Sequence, residues 1–340
     1  MTNPNNILTD SFGREHTYLR ISLTELCNLR CTYCMPAEGI QLSPRSHIMN
    51  FDEVYAIAKT FVDHGVTKIR LTGGEPLVRR DVDVILKKLA SLPVELSMTT
   101  NAVIVDRYID LLKECNIMNL NVSLDSLDAV KFKEITRRND FEKVLKNMHL
   151  LIQEGFNIKL NAVLIKGFND NEIIDFINLS KDLPISVRFI EFMPFDGNKW
   201  DKGKMVSYAE VMEKVNSSFD VSKVIRLHDA PNETSKNYKI EGYKGSFAII
   251  SSVTNPFCDS CNRIRLTANG RLKNCLFSAG ESDLLTPLRE GKDITPMIQK
   301  AVHSKLKIRG GMDTMEKLEA PDLHLSLIHI SEPTRPAPIS

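Results

Sequence analysis

The sequence predicts an α/β protein: an open, six-stranded partial barrel of the TIM type, with a C-terminal extension that carries a second metal site. Three observations lead there. Strand-like apolar segments alternate with amphipathic helical ones from residue 16 to residue 192, and parallel strands need such crossover helices. The alternation ends near Trp200 without two further units, which favours an open barrel over a closed eight-stranded one. Two cysteine triplets divide the chain, Cys27, Cys31 and Cys34 early and Cys258, Cys261 and Cys275 late.

In chain order, residues 16–23 (HTYLRISL) alternate and run into the first triplet, so they read as a strand whose C-terminal end holds it. Asn50 and Glu53 form a capping-box pattern for a helix that Gly65 ends. Residues 66–71 are the second strand, followed by TGGEP and an amphipathic helix to about residue 91. Strands follow at 94–99, 117–124, 156–164 and 185–192, with helices at 105–114, 128–135, 141–154 and 171–182. Such a fold places its active site at the C-terminal ends of the strands. Beyond a helix at 207–216, residues 220–250 are turn-rich and strand-like. The expected division is 1–206 for the barrel, 207–324 for the extension and 325–340 for a tail.

Composition narrows the function. With 340 residues, 42% hydrophobic and 26% charged, the chain reads as an ordinary soluble globular protein. A net charge of +1 argues against nucleic acid or an acidic membrane surface as a partner. The first residues lack a signal-peptide core, and no apolar run approaches the roughly 20 residues that span a bilayer. Seven cysteines, odd in number and clustered, indicate a reduced, cytoplasmic protein with metal sites.

The first triplet has the spacing C-x₃-C-x₂-C. Thiolates this close repel unless a cation separates them or a disulfide joins them. They are one ligand short of a closed structural zinc site, and on an iron–sulfur cluster they would leave one iron open. Tyr33 adds an aromatic face beside them. In Thr72-Gly73-Gly74-Glu75-Pro76, the glycines allow close backbone approach and Glu75 can accept from an ammonium group. A tight βα turn with proline opening the helix explains the same residues. The second triplet, C-x₂-C-x₁₃-C, is again one ligand short. His228 or His303 would complete a zinc site, and a second cluster with its own open iron is the other reading. Cys115, alone at a helix end, reads as a small core residue.

Charged residues on the strands add a third constellation. Arg263 and Arg265 share one strand face, while Arg20, Arg70, Lys159 and Arg188 fall on four other predicted strands. A charge on a buried strand is costly without a counter-charge. Private carboxylates would supply that one by one. Six cations together suggest a polyanion such as a nucleoside triphosphate, whose oxygens suit arginine forks.

These residues closely resemble the GTP 3′,8-cyclases, the MoaA-type radical S-adenosylmethionine (SAM) enzymes that begin molybdenum-cofactor biosynthesis. The resemblance spans about residues 10–320 and rests on CNLRCTYCMP, IRLTGGEPLVRRD, TTN, NVSLDSLD, EFMP and CDSCNRIRLTANGRLKNCL. It implies a radical-SAM partial barrel, a lyase-type cyclase activity and two [4Fe-4S] clusters. Cys27, Cys31 and Cys34 would hold the SAM-binding cluster, with Tyr33, Gly74, Ser123 and Met193 lining SAM. Cys258, Cys261 and Cys275 would hold the second cluster, facing guanine. Arg20, Arg70, Thr99, Lys159, Arg263 and Arg265 would contact GTP, with Arg188 the weaker candidate. Cys27, Cys31, Cys34, Arg263 and Arg265 form the implied catalytic set.

The implied reaction is reductive SAM cleavage to methionine and a 5′-deoxyadenosyl radical, which takes the ribose 3′ hydrogen of GTP before the 3′ carbon closes onto C8. The product would pass to a cyclic pyranopterin monophosphate synthase, and an electron donor is required. The oligomeric state is left open between monomer and homodimer. Two alternatives remain at this stage: another radical-SAM enzyme with an auxiliary cluster, or a non-catalytic iron–sulfur or zinc protein. One departure is evident. The family typically ends in a double glycine that reaches back into the active site, whereas LSLIHISEPTRPAPIS from Leu325 is unlike the family and reads as a non-native or disordered tail.

Overall fold

The structure is a computed structural model and describes residues 6–35, 42–194, 200–278 and 280–319. The tail expected at 325–340 lies outside these. Six strands, β1 (Tyr18–Ser22), β2 (Lys68–Thr72), β3 (Glu95–Thr100), β4 (Asn119–Ser123), β5 (Asn157–Leu164) and β6 (Ser186–Glu191), lie side by side in chain order, all parallel. Helices α1 (Phe51–Asp63), α2 (Val82–Ala90), α3 (Ile109–Glu114), α4 (Ala129–Thr136), α5 (Phe141–Gln153) and α6 (Ile173–Asp182) lie between them in the chain. The capping box at α1 forms as its sequence predicts, with the Asn50 side chain accepting from Glu53 N and Glu53 accepting from Asn50 N. Helix α7 (Tyr208–Ser218) opens on a second capping box, Ser207 with Glu210.

The sheet does not stop at six strands. After α7 come β7 (Val224–Arg226), β8 (Lys236–Ile240), β9 (Ser246–Ile250), β10 (Arg263–Leu266), β11 (Arg271–Lys273) and β12 (Ser282–Asp283), then α8 (Leu285–Arg289), α9 (Thr295–His303) and α10 (Met315–Leu318). Strand β9 pairs parallel with β6 at one edge, and β10 pairs parallel with β1 at the other. The order across the described residues is β12-β11-β10-β1-β2-β3-β4-β5-β6-β9-β8-β7. The extension therefore lengthens the sheet at both edges instead of standing apart from it. Residues 220–250 read as strand-like and α7 is expected, but counting strand–helix units does not join β7, β8 and β9 to the barrel sheet, and β10 follows a cysteine loop with no helix between it and β9.

The parallel strands alternate strictly. Leu19, Ile21, Ile69, Leu71, Leu96, Met98, Leu120, Val122, Leu160 and Phe189 enter one buried core with Ile57, Phe61, Ile85, Leu86 and Phe176 of the helices. Parallel strands buried on both faces normally read as continuous apolar runs. Here the opposite face is largely polar: Arg265, Arg20, Arg70, Ser97, Asn119 and Asn157 register in one row, and Thr99, Asn121, Lys159, Ser186 and Ser246 in another, with Val163, Ile190 and Ile250 apolar near the C-terminal ends of β5, β6 and β9.

Gly245 joins the extension to this sheet. Its N–H donates to the Ser180 carbonyl (2.8 Å), and a Cβ there would stand 2.1 Å from the Ile185 carbonyl oxygen. Overpacking of this kind costs about 1–3 kcal/mol. Gly245→Ala is expected to lower stability by about that amount, read as a lower urea midpoint at unchanged slope.

Candidate active site

The loop that leaves β1 is fastened to the loop that leaves β2. Leu23 N donates to Thr72 O (2.9 Å), Gly74 N to Thr24 O (2.8 Å) and Glu75 N to Leu26 O (2.8 Å). A Cβ at Gly74 would lie 2.3 Å from Leu26 O, and Gly73 has φ +149° with Thr24 O 2.6 Å from its Cβ position. The two glycines are needed so that one loop can lie against the other, and this contact sets the entry to the first triplet. Glu75 is turned inward: it accepts from Thr100 Oγ1 (2.9 Å), Asn101 N (2.7 Å) and Leu77 N (3.2 Å). Burial raises its pKa to about 7 against those hydrogen bonds. The turn reading is also met: Glu75 caps the short helix opened by Pro76.

The first triplet rides on the C-terminus of α4. Arg30 N donates to Thr136 O (2.9 Å) and Thr32 N to Ile135 O (2.8 Å), so the cysteine loop satisfies carbonyls that a helix end leaves unpaired. Arg137, in the left-handed region at φ 55°, reaches back to Arg30 O (2.9 Å) and Met35 O (3.1 Å). Tyr33 Oη donates to Asp125 (2.8 Å), whose other oxygen accepts from Val163 N (2.8 Å). Asn101 Nδ2 donates to Asn28 Oδ1 (2.7 Å) and lies 3.8 Å from Cys27 Sγ. Burial pushes all three thiols up, with Glu75 adding at Cys27, and neighbouring thiols and Asp125 adding at Cys31 and Cys34. All three are free thiols. As thiolates they would need a cation among them, which is the donor chemistry of an iron–sulfur cluster.

The second triplet stands elsewhere. Cys258 and Cys261 precede the N-terminal end of β10, and Cys275 returns to that end after β11. The first triplet follows the C-terminal end of β1, the partner of β10. Of the two triplets only the first stands at the strand C-termini, where Gly74, Ser123 and Met193 also lie. Between the two ends lies the length of a short strand, roughly 13 Å at 3.3 Å per residue. Arg309 N donates to Cys258 Sγ (3.4 Å) and Lys305 Nζ to Cys261 Sγ (3.4 Å). Burial would raise Cys261, but Arg263 and Lys305 outweigh it and bring the thiol down to about 6. Among the described residues no group of three or more Cys, His, Asp or Glu is arranged to hold a metal ion as it stands. Cys115 is buried in the core, as expected.

The basic residues meet on the polar face between these ends. Arg20 pairs in register with Arg70 and with Arg265, and Tyr18 with Arg263. The Tyr18 hydroxyl accepts from Arg70 Nε, and its ring lies under Arg20 (5.5 Å), Lys68 (5.7 Å) and Arg70 (5.9 Å). Burial lowers Arg20 to about 9, and repulsion from Arg265, Arg70 and Arg263 adds to it. Burial, then Arg188 and Arg70, lowers Lys159 to about 8. Arg20 Nε, Arg70 Nη1 and Arg188 Nε are buried without a partner. Among the described residues Arg188 alone of the set has a private carboxylate, Glu233 at 3.0 Å. Thr99 is half-buried in the Lys159 row, Ser123 ends β4, and Met193 packs against a small apolar cluster that Cys275 also touches.

Comparison with known proteins now bears on this arrangement. Residues 21–180 match the Radical SAM superfamily, and residues 185–310 match the Molybdenum Cofactor Synthesis C family. The chain is 47% identical over 327 residues to "GTP 3′,8-cyclase, mitochondrial" of Arabidopsis thaliana, covering 94% of this chain and 83% of that protein. It is 41% identical over 305 residues to "GTP 3′,8-cyclase" of Listeria welshimeri, covering 88% and 91%. The chain belongs to the GTP 3′,8-cyclase family. It spans about half the length of several longer family relatives, such as human "Molybdenum cofactor biosynthesis protein 1" (42% identity, 52% of that protein). Streptococcus suis SuiB bound to S-adenosylmethionine shares the fold, with a TM-score of 0.61 at 17% identity over 85% of this chain and 68% of that one.

Within this family member, sequence reasoning missed Tyr18, Asp125, Asn101, Glu233 and Lys305. Tyr18 shares strand parity with Arg20, and Asp125 and Asn101 lie inside quoted motifs, so those three had a local signal. Glu233 and Lys305 had none. The docked N-terminal segment was also unforeseen. Asp10 accepts from Arg14 Nε (2.6 Å) and His16 Nε2 (3.1 Å), while Arg14 Nη1 donates to Cys258 O (2.8 Å) and Lys307 O (2.9 Å). Burial, then Lys305, brings His16 down to about 4 against the pull of Asp10.

A histidine with a depressed folded pKa stabilises only while neutral. Its contribution is complete above about pH 6.5, where the unfolded imidazole is also neutral, and is lost as pH falls toward 4. Asp10, whose hydrogen bonds overcome burial and hold it far below the carboxylate range, acts in the same direction. Stability is expected to fall by on the order of 3 kcal/mol between pH 7 and pH 4 through His16 alone. Urea midpoints across that range check it, and His16→Phe should flatten the slope.

Proposed function

We propose that this chain catalyses the radical-SAM cyclisation of GTP to (8S)-3′,8-cyclo-7,8-dihydroguanosine 5′-triphosphate, the first step of molybdenum-cofactor biosynthesis. The observation that carries this reading is the row of partly unpaired guanidinium groups between two thiol triplets, in a chain 41–47% identical to proteins named for that activity. Cys27, Cys31 and Cys34 would hold the cluster that binds SAM, and Cys258, Cys261 and Cys275 a second cluster facing guanine. When bound, the first cluster supplies the electron that cleaves SAM.

The chain's own residues do the rest. Tyr33, Gly74, Ser123 and Met193 line SAM. Tyr33 is oriented by Asp125, and Gly74 keeps the β2 loop tight against the cysteine loop. Arg20, Arg70, Arg263 and Arg265 take the triphosphate and sugar, whose negative charge relieves their mutual repulsion. Thr99 and Lys159 extend that surface along β3 and β5. Arg188 contributes less, because Glu233 already neutralises it. We read β1 to β6 with their helices as the radical-SAM partial barrel and place its boundary with the extension near residue 206. We place the protein in a reducing compartment, the cytoplasm, with an electron donor upstream and a pyranopterin-forming synthase downstream. Among the described residues no helix is long and apolar enough to cross a membrane.

The test is anaerobic turnover after reconstitution with iron and sulfide. Formation of 5′-deoxyadenosine should require GTP and fail with ATP; cleavage of SAM indifferent to GTP would remove the cyclase reading. Cys27→Ala should abolish it. Arg70→Ala should weaken GTP binding roughly ten- to hundredfold, the worth of one charge-assisted hydrogen bond at about 1.5–3 kcal/mol. Calorimetry without SAM or reductant measures that loss directly.

A further inference from the structure

Lys305 lies just beyond α9 and is only 2% exposed. Its Nζ donates to Cys261 Sγ (3.4 Å) and to the Arg263 carbonyl oxygen (2.8 Å). Among the described residues no carboxylate pairs with it. Asp10, the carboxylate of the docked N-terminal segment, is already taken by Arg14 and His16. A buried ammonium without a counter-ion is costly. Arg14 holds the carbonyls of Leu306 and Lys307, so the backbone that carries Lys305 is fastened on the far side.

The two triplets differ in this respect. At the first set no cation donates to a sulfur among the described residues: Arg30 donates to the Cys27 carbonyl oxygen and Arg137 to that of Met35, while the Asp125 carboxylate holds Tyr33 Oη beside the thiols. The second set has Lys305 on one sulfur, the Arg309 N–H on another, and the Arg263 guanidinium close by, seated over the Phe257 ring at 4.7 Å. Hydrogen bonds to the sulfurs and local charge are what set the potential of an iron–sulfur cluster. Three thiolates outweigh the positive charge of the cluster core, so the group they hold is an anion able to serve as the missing counter-charge.

We infer that Lys305 is a positioning residue for the second cluster: it holds Cys261, neutralises the cluster and raises its reduction potential above that of the first. This rests on the two-cluster reading above. The consequence is a division of labour, in which the second cluster keeps its electrons while the first, in its more anionic pocket, gives one to SAM.

The second site can be read alone in a chain carrying Cys27→Ala, Cys31→Ala and Cys34→Ala, reconstituted with iron and sulfide. Iron content and a dithionite titration followed by electron paramagnetic resonance are the readouts. Lys305→Met in that background should shift the one-electron equilibrium at least tenfold toward the oxidised form, about 59 mV downward. Lys305→Gln, which keeps a donor to the Arg263 carbonyl, serves where the Met variant fails to fold or hold iron. A midpoint unchanged by removal of the charge overturns the inference, even where iron content drops. No iron in the chain that retains Lys305 would overturn the second-cluster reading itself.

Discussion

Arg20, Arg70 and Arg265 stand at one level on three adjacent strands, with Arg263 one step away, close enough to repel and buried enough that water screens them poorly. A sheet does not keep such a face without return. Among the described residues Tyr18 offers its hydroxyl and ring electrons to the Arg20–Arg70 pair, and Arg20 Nε and Arg70 Nη1 stay buried without partners. The unmet demand is for several anionic oxygens at once. A triphosphate would meet it, whereas a single carboxylate such as Glu233 pairs with Arg188 at the edge. The apolar core on the opposite face, shared with the helices, is what carries the cost of holding this row in place.

The extension matters because it closes this arrangement electrostatically. Strand β10 carries two of the arginines into register with β1, and the loops at its start bring the second triplet with Lys305 and Arg309 behind it. The first triplet is held by a different logic. It borrows helix-end carbonyls from α4 and a glycine-tight loop contact from β2, and the carboxylates of Asp125 and Glu75 stand beside it. One end of the polar face is therefore built to hold thiols near negative charge and the other near positive charge.

Much of this was legible beforehand. The six parallel strands came within about two residues, and so did most helices, because period-two and 3.6-residue patterns are local properties of a chain; α3 begins four residues later than read, after a 3-10 turn. Both triplets were visible from spacing, and the parity of Arg263 and Arg265 predicted their shared face. The glycines of TGGEP were recognised as a close approach, but the partner proved to be Thr24 and Leu26, and Glu75 proved to be capping its own turn. Strand β10 was underestimated since no helix separates it from β9, and β9 since two short hairpin strands stand between it and α7.

By itself, then, the sequence determined which segments are strands or helices, which thiols belong together, and which side of each strand is polar. The tertiary structure decided what those choices mean. Arg20 and Arg265 are 245 positions apart, and only the β1–β10 pairing makes their charges one problem. Glu233 and Lys305 sit in segments with no motif, and their significance arises solely from what they meet: one cation answered, and one left to answer the second triplet. Burial and counter-charge depend on neighbours in space, and no local pattern encodes them.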